Sequence, residues 1–154
     1  MQDPAIDIRP FEPADAEAVS AMVRGVFDEH VSASFEPAGV DEMHDHVSPE
    51  GIIRRAQTHS TLVAWEGDVP VAVIEVRNSS HVSMLFVQTS HMGRGIATTL
   101  MDRAIERCRA AGCQKLTVNA ALNAQSFYAR LGFRATDDPQ KVHGFAFVPM
   151  EKTL

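Results

Sequence analysis

Apolar positions along the chain follow two periods, and the switches between them mark its elements. Residues 6–9 read as a short strand, and Pro10 and Pro13 punctuate the residues after it. Ala18, Val19, Met22, Val23, Val26 and Phe27 recur at helical spacing and predict one buried helix face. Residues 31–48 show no regular period, and Pro37 and Gly39 read there as breakers. A second helix is predicted over 49–58, where Pro49 suits an early helical position because the N–H it lacks would be unpaired anyway. Residues 61–65 and 69–77 read as strands around the turn Glu66-Gly67-Asp68. A third strand over 81–88 comes after the turn Asn78-Ser79-Ser80. Ile96, Leu100, Ala104, Ile105 and Cys108 form the stripe of a long helix, with Gly112 as its stop. Residues 116–118 read as a short strand. Ala124, Phe127, Tyr128 and Leu131 mark a short helix stopped by Gly132, and strands over 133–135 and 145–150 close the chain.

Three strands in series joined by short turns predict an antiparallel meander. The strand at 116–118 is reached through a helix, so it should run parallel to the strand before that helix. No internal repeat and no linker composition interrupts the chain, so residues 1–154 read as one α+β domain.

Composition narrows the function more than the fold. At 154 residues, 45% hydrophobic and 22% charged, the chain is long enough for one globular core. The net charge of −6, with no Lys/Arg block, argues against a nucleic-acid partner and suits a cationic one. No apolar run approaches the roughly 20 residues of a membrane span. Residues 1–4 carry neither the basic nor the apolar region of a signal peptide, which predicts a cytoplasmic protein. Cys108 and Cys113 then read as reduced thiols, and neither fits a zinc spacing.

The stretch richest in chemistry is 85–97, Leu-Phe-Val-Gln-Thr-Ser-His-Met-Gly-Arg-Gly-Ile-Ala. A strand turns through Gly93 and Gly95 into a helix. Glycines let backbone N–H groups approach a ligand, and the first helical turn leaves its own N–H groups unpaired and partly positive, which suits phosphate. A P-loop would need Lys and Ser/Thr after the glycines, but Ile96 and Ala97 stand there. A dinucleotide site would need a third glycine where Thr98 stands, and an acid at the end of the next strand, which reads Val118-Asn119-Ala120.

Residues 85–97 and the helix after them resemble the acetyl-CoA-binding motif of the GNAT-type N-acetyltransferase superfamily, Gln/Arg-x-x-Gly-x-Gly/Ala, here Met92 to Ala97. The family's second motif is matched at 119–133, Asn-Ala-Ala-Leu-Asn-Ala-Gln-Ser-Phe-Tyr-Ala-Arg-Leu-Gly-Phe, and the order of elements agrees along the whole chain. The resemblance implies a central, mostly antiparallel twisted sheet of about six to seven strands. One parallel pair would splay around acetyl-CoA, and about four helices would flank the sheet. It also implies that the backbone of Met92, Gly93, Arg94, Gly95, Ile96, Ala97 and Thr98 holds pyrophosphate. Phe86 and Val87 would offer backbone groups to pantetheine, with Asn119 and Asn123 beside them. Asn123 serves equally well as a cap for the helix beginning at Ala124. Met92 departs from the family's Gln or Arg, but a cradle of N–H groups does not depend on that side chain.

The activity implied by the resemblance is direct transfer of acetyl from acetyl-CoA to a primary amine of a small molecule or peptide. A non-catalytic acyl-CoA-binding or sensing module on the same fold is the alternative. At pH 7, neutralising a lysine-type amine of pKa ~10.4 costs roughly 4.6 kcal/mol, against about 1 kcal/mol for an α-amino group near ~7.8. A base is therefore needed for the first and optional for the second. Two candidates stand out. Glu75 sits in the apolar run 71–76 with the parity of Val71 and Val73, and His81 opens the strand leading to the glycine turn. Tyr128, the only tyrosine, stands at the family's general-acid position. A phenol near ~10 is a weaker acid than a thiol near ~8.5, so it would act by hydrogen bonding to the departing sulfur.

His44 and His46 with Asp41, Glu42 and Asp45 lack a partner cluster, so no metal site is predicted and the segment reads as solvated, near the acceptor entrance. Arg54 and Arg55 likewise read as solvated helix residues. The resemblance places acceptor choice around residues 31–50, where no diagnostic motif occurs, and homodimers are common in the family.

Overall fold

A computed structural model describes residues 5–142 and 144–154. Among the described residues the strands are β1 (Ile6–Pro10), β2 (Ser60–Glu66), β3 (Val69–Arg77), β4 (His81–Val87), β5 (Lys115–Ala121), β6 (Arg134–Ala135), β7 (Gln140–Val142) and β8 (Phe145–Thr153). They form one sheet in the order β1-β2-β3-β4-β5-β8-β6, with β7 also paired to β8. All pairings are antiparallel except β4 with β5. The helices are α1 (Ala16–Val26), α2 (Pro37–His46), α3 (Pro49–Ala56), α4 (Ile96–Ala110) and α5 (Gln125–Arg130). The mixed α+β architecture with one parallel pair is the one expected; the eighth strand is the three-residue β7.

Strand alternation sends side chains to two cores. Leu62, Ile74 and Val82 pack with the α4 stripe Leu100, Met101, Ala104 and Ile105. Val63, Val73, Met84 and Phe86 pack with Val19, Val23 and Val26 of α1 and Ile52 of α3. Both faces of β3 are thereby covered, which is why residues 70–76 are buried without interruption.

Two expectations need correction. Residues 37–46 form α2 and are not irregular. Pro37 stands in the first turn, where its missing N–H costs nothing, and Glu36 before it is extended. Gly39 is an interior helix position that costs about 1 kcal/mol relative to Ala, and packing of Val40 and Met43 against the second core offsets that. Arg55 is also not solvated: its side chain is only 13% exposed and lies beside Glu75. Ser48 caps α3, its hydroxyl accepting from the Gly51 N–H at 3.1 Å.

The feature that positions the site is where β4 leaves β5. The two strands share only the pairs His81↔Thr117 and Val82↔Val118. On the other side of β4, Val76 pairs with Val82 but Glu75 pairs with Met84, so Ser83 is an extra residue. Such a bulge bends its strand and increases its twist. From Ser83 onward the β5-facing edge of β4 is unpaired, and a cleft opens there.

Candidate active site

The cleft encloses about 750 Å³, and its walls come from segments far apart in sequence. Leu85, Phe86 and Val87 of β4 form one side, and Asn123 and Tyr128 the other. Met92, Gly93, Gly95, Ile96, Ala97 and Thr98 close one end. Gly93 and Gly95 adopt φ of 78° and 79°, a left-handed conformation that other residues enter only at a cost. A Cβ at either position would meet nothing within 4 Å, so backbone conformation and not crowding requires glycine. Gly95 is the N-cap of α4, and the first helical bond runs from Thr99 N–H to Gly95 O at 3.0 Å. The N–H groups of Ile96, Ala97 and Thr98 are thus left without partners inside the helix, at its positive end. An anionic group fits this end, and the long apolar trough beyond it fits an extended arm.

Tyr128 faces the trough from α5. Its ring packs edge-on against Phe127 at 5.2 Å and Phe133 at 5.5 Å, which fixes its plane. Burial pushes its phenol well above the ordinary value, so at working pH it keeps the O–H that can donate a hydrogen bond.

The other residues singled out from the sequence lie elsewhere. Arg94 is outside the cleft wall, its guanidinium 3.8 Å from the Glu66 carboxylate. Asn119 is exposed on β5, opposite Pro149 of β8. Asn123 lines the cleft but does not cap α5: its side-chain amide donates to the backbone carbonyl of His30 at 2.7 Å. Glu75 is fully buried on the α3 side of the sheet. Arg55 Nε donates to both its oxygens at 3.0 and 3.2 Å, and Ser83 Oγ donates to Oε1 at 2.7 Å. Arg55 continues to the His46 carbonyl at 2.6 Å, so one guanidinium ties α2, α3 and β3 together. His81 is half-buried at the β4–β5 pairing, its Nδ1 2.7 Å from Thr117 Oγ1. Burial, and then the charge of Arg77, hold it below its ordinary pKa, so it is neutral at pH 7. His44 contacts Asp28 at 2.6 Å. No group of three or more His, Cys, Asp or Glu among the described residues is arranged so that it could hold a metal ion.

One wall of the cleft carries no sequence signature. After α1 the chain makes a π-helical turn, Phe27–Val31, which brings Val26, His30 and Val31 to the trough. No periodicity marks it. The local signal is no more than a histidine directly after two acids at a helix end.

Comparison with known proteins agrees with this geometry. The family model described as acetyltransferase (GNAT) domain matches residues 31–154. Two curated relatives match locally, each over 34% of this chain. They are an N-alpha-acetyltransferase MAK3 of Arabidopsis thaliana, 39% identical over 56 residues, and a glucosamine 6-phosphate N-acetyltransferase 1 of Oryza sativa subsp. japonica, 34% identical over 53. The matched part spans 30% and 32% of those relatives. A solved GCN5-related N-acetyltransferase of Rhodopseudomonas palustris superposes with TM-score 0.82 and 29% identity, covering 100% of this chain and 98% of its own. The PaiA N-acetyltransferase of Thermoplasma acidophilum, solved in complex with coenzyme A, gives TM-score 0.80 at 16% identity over 97% and 99% of the two chains. No helix among the described residues is long and apolar enough to cross a membrane. With its parallel pair splayed after two residues, its glycine turn at the head of α4 and a family match over most of its length, the chain belongs to the GNAT acetyltransferase family.

Proposed function

We propose that the protein transfers an acetyl group from acetyl-CoA directly to a primary amine. The observation that carries this reading is the continuity of the cleft, which joins an unpaired helix N-terminus at one end to a buried, protonated phenol across the trough. Pyrophosphate fits the N–H groups of residues 93–98. Pantetheine fits the free edge of β4 at Phe86 and Val87, where a β-strand-like arm finds unpaired backbone groups. The Thermoplasma acidophilum neighbour solved in complex with coenzyme A supports the ligand class. Met92, 45% exposed, lines the loop without a polar side-chain role, which suits a cradle made of backbone.

In the reaction the amine nitrogen attacks the thioester carbonyl carbon, the C–S bond breaks, and sulfur leaves with negative charge. Tyr128 donates its hydrogen bond to that sulfur. Being held protonated by burial, it stabilises developing charge without first losing its own proton. The two curated relatives are named for different acceptors, an α-amine and glucosamine 6-phosphate, which share only the amine. Asp28 and Glu29 of the π turn are exposed carboxylates and favour a cationic acceptor, whereas Glu36 is paired with Lys141.

Incubation with acetyl-CoA and a panel of amines, read by thiol release and product mass, tests the proposal. Amine-dependent thiol release with a mass gain of one acetyl group is expected. Tight acetyl-CoA binding with no thiol release from any amine would instead support a binding or sensing module.

A further inference from the structure

The acceptor amine arrives as an ammonium, and something in the cleft must take its proton. Glu75 is not among the cleft-lining residues, and both its oxygens are engaged by Arg55 and Ser83. His81 is also not among the residues that line the cleft. His91 does line it, but both its nitrogens are occupied, Nδ1 by Ser90 Oγ at 2.7 Å and Nε2 by the Glu66 carboxylate at 3.1 Å. His30 is the remaining imidazole of the wall, and its hydrogen bonds are ordered in one direction. The Glu29 carboxylate can only accept, so the Thr89 hydroxyl donates to it at 3.2 Å. The Thr89 oxygen then accepts from His30 Nε2–H at 2.9 Å. In the neutral ring this places the proton on Nε2 and leaves Nδ1 with a lone pair, without a hydrogen-bond partner among the described residues. The turn that carries the ring is held from both arms of the cleft, through Thr89 after β4 and through Asn123 before α5. A π-helical turn at this place agrees with the frequent use of such turns at functional sites.

We infer that His30 is the general base of the transfer, taking a proton from the acceptor ammonium at Nδ1, with Thr89 and Glu29 fixing its tautomer. The inference rests on the acetyl-transfer reading and assigns the acceptor to alkyl amines basic enough to need a base. The first ammonium proton passes to Nδ1 and from there to solvent. The second leaves nitrogen once the C–N bond has formed and balances the proton taken up by the departing thiolate. The Glu29 carboxylate lies 3.5 Å from Nε2. The other titratable groups around the ring are Asp28, paired with His44, and His91, Tyr128 and Arg130 on the cleft wall.

The test is the pH profile of kcat/KM for wild type and His30→Gln, with acetyl-CoA as donor and 1,5-diaminopentane and glycinamide among the acceptors. Gln keeps a donor for Thr89 but cannot accept a proton. With the alkyl amine at pH 7 the variant is expected to lose about 10²–10⁴-fold in kcat/KM, with acetyl-CoA affinity unchanged. Its rate should then climb about tenfold per pH unit, because only amine already neutral in solution reacts, whereas wild type levels off once its base is free. The loss with the less basic glycinamide should be far smaller. Thr89→Val, which loosens the ring but keeps the base, should lower kcat while retaining the wild-type plateau. If His30→Gln keeps the wild-type rate and profile with the alkyl amine, His30 is not the base and the transfer reading stands. If wild type binds acetyl-CoA but acetylates no amine, the transfer reading fails and the inference fails with it.

Discussion

Strand β4 has a polar cluster on either side of it, and the two are built on opposite rules. On the α3 side Glu75, Arg55, Ser83 and the His46 carbonyl satisfy one another, in a place where Glu75 has no exposure at all. In the cleft two polar elements are held by neighbours yet keep one function uncommitted. The helix N–H groups of residues 96–98 lack intrahelical partners, and His30 keeps a bare Nδ1. A buried charge pair gains little net stability over an apolar pair, but it makes removal of either partner expensive. Groups left with an open valence stabilise nothing by themselves and are available to a ligand. Burial of a carboxylate is therefore a poor guide to chemistry here, and incomplete pairing at a cleft is a better one.

The comparison breaks most visibly at Glu75. Glu75→Gln strands the Arg55 guanidinium beside a neutral amide and should cost on the order of 3 kcal/mol. For a chain of this size that is roughly a 6–12 °C fall in Tm, measured by thermal unfolding. Residual activity per folded molecule should stay near wild type. An unchanged Tm together with a collapsed kcat would reverse the assignment and make Glu75 part of the chemistry.

Tyr128→Phe should show the reverse pattern. Loss of the hydrogen bond to the leaving sulfur is expected to lower kcat by about 10²–10³-fold, while the ring still packs between Phe127 and Phe133 and Tm barely moves. Acetyl-CoA affinity, measured calorimetrically, should be preserved. Wild-type turnover in this variant would remove Tyr128 from the mechanism.

The contrast also explains what could be read from the chain alone. The meander, the glycine turn and the α4 stripe are local patterns, with period, turn residues and cap within a few positions of one another. The place of Tyr128 on the cleft wall is legible because it lies inside a contiguous motif. The pairing of Glu75 with Arg55 is a contact across 20 positions, so sequence showed an isolated acid in an apolar strand and an ordinary basic residue on a helix. His30 meets Thr89 across 59 positions and Asn123 across 93, and no local pattern encodes such a meeting. Helix α2 was obscured for a different reason. Pro37 and Gly39 read as breakers only until packing of Val40 and Met43 is counted.

At the anion end of the cleft, Gly95→Val would force a β-branched residue into φ of 79°. The left-handed conformation costs roughly 1–2 kcal/mol, so acetyl-CoA affinity should weaken by about 5–30-fold as the turn relaxes away from its binding shape. Gly95→Ala should fall in the same direction by less. A Cβ there meets no neighbour, so the loss of global stability should not exceed that same roughly 1–2 kcal/mol of backbone strain. Equal affinity in wild type and both variants would mean that the cradle does not bind the phosphates.

The smallest effect expected is a pH dependence of stability that separates the two regions. Burial, and then the Arg55 charge, lower the pKa of His46 in the folded protein, and burial with Arg77 does the same for His81. A lowered folded-state pKa means that the unfolded chain binds the proton more tightly. The stabilisation is therefore fully present above the ordinary histidine value of 6.5 and is lost as pH falls below it. Partly buried Glu151, whose pKa Lys115 and Arg134 depress, acts only below its ordinary 4.5 and leaves that window clear. Tm should decline between pH 6.5 and 5 in wild type, and more gently in a His46→Gln, His81→Gln double variant. His30→Gln, by contrast, is expected to show itself in the pH profile of turnover. A flat Tm profile in wild type would show that the paired cluster does not depend on a neutral His46, and would erase the distinction between closed and open polar groups at that residue.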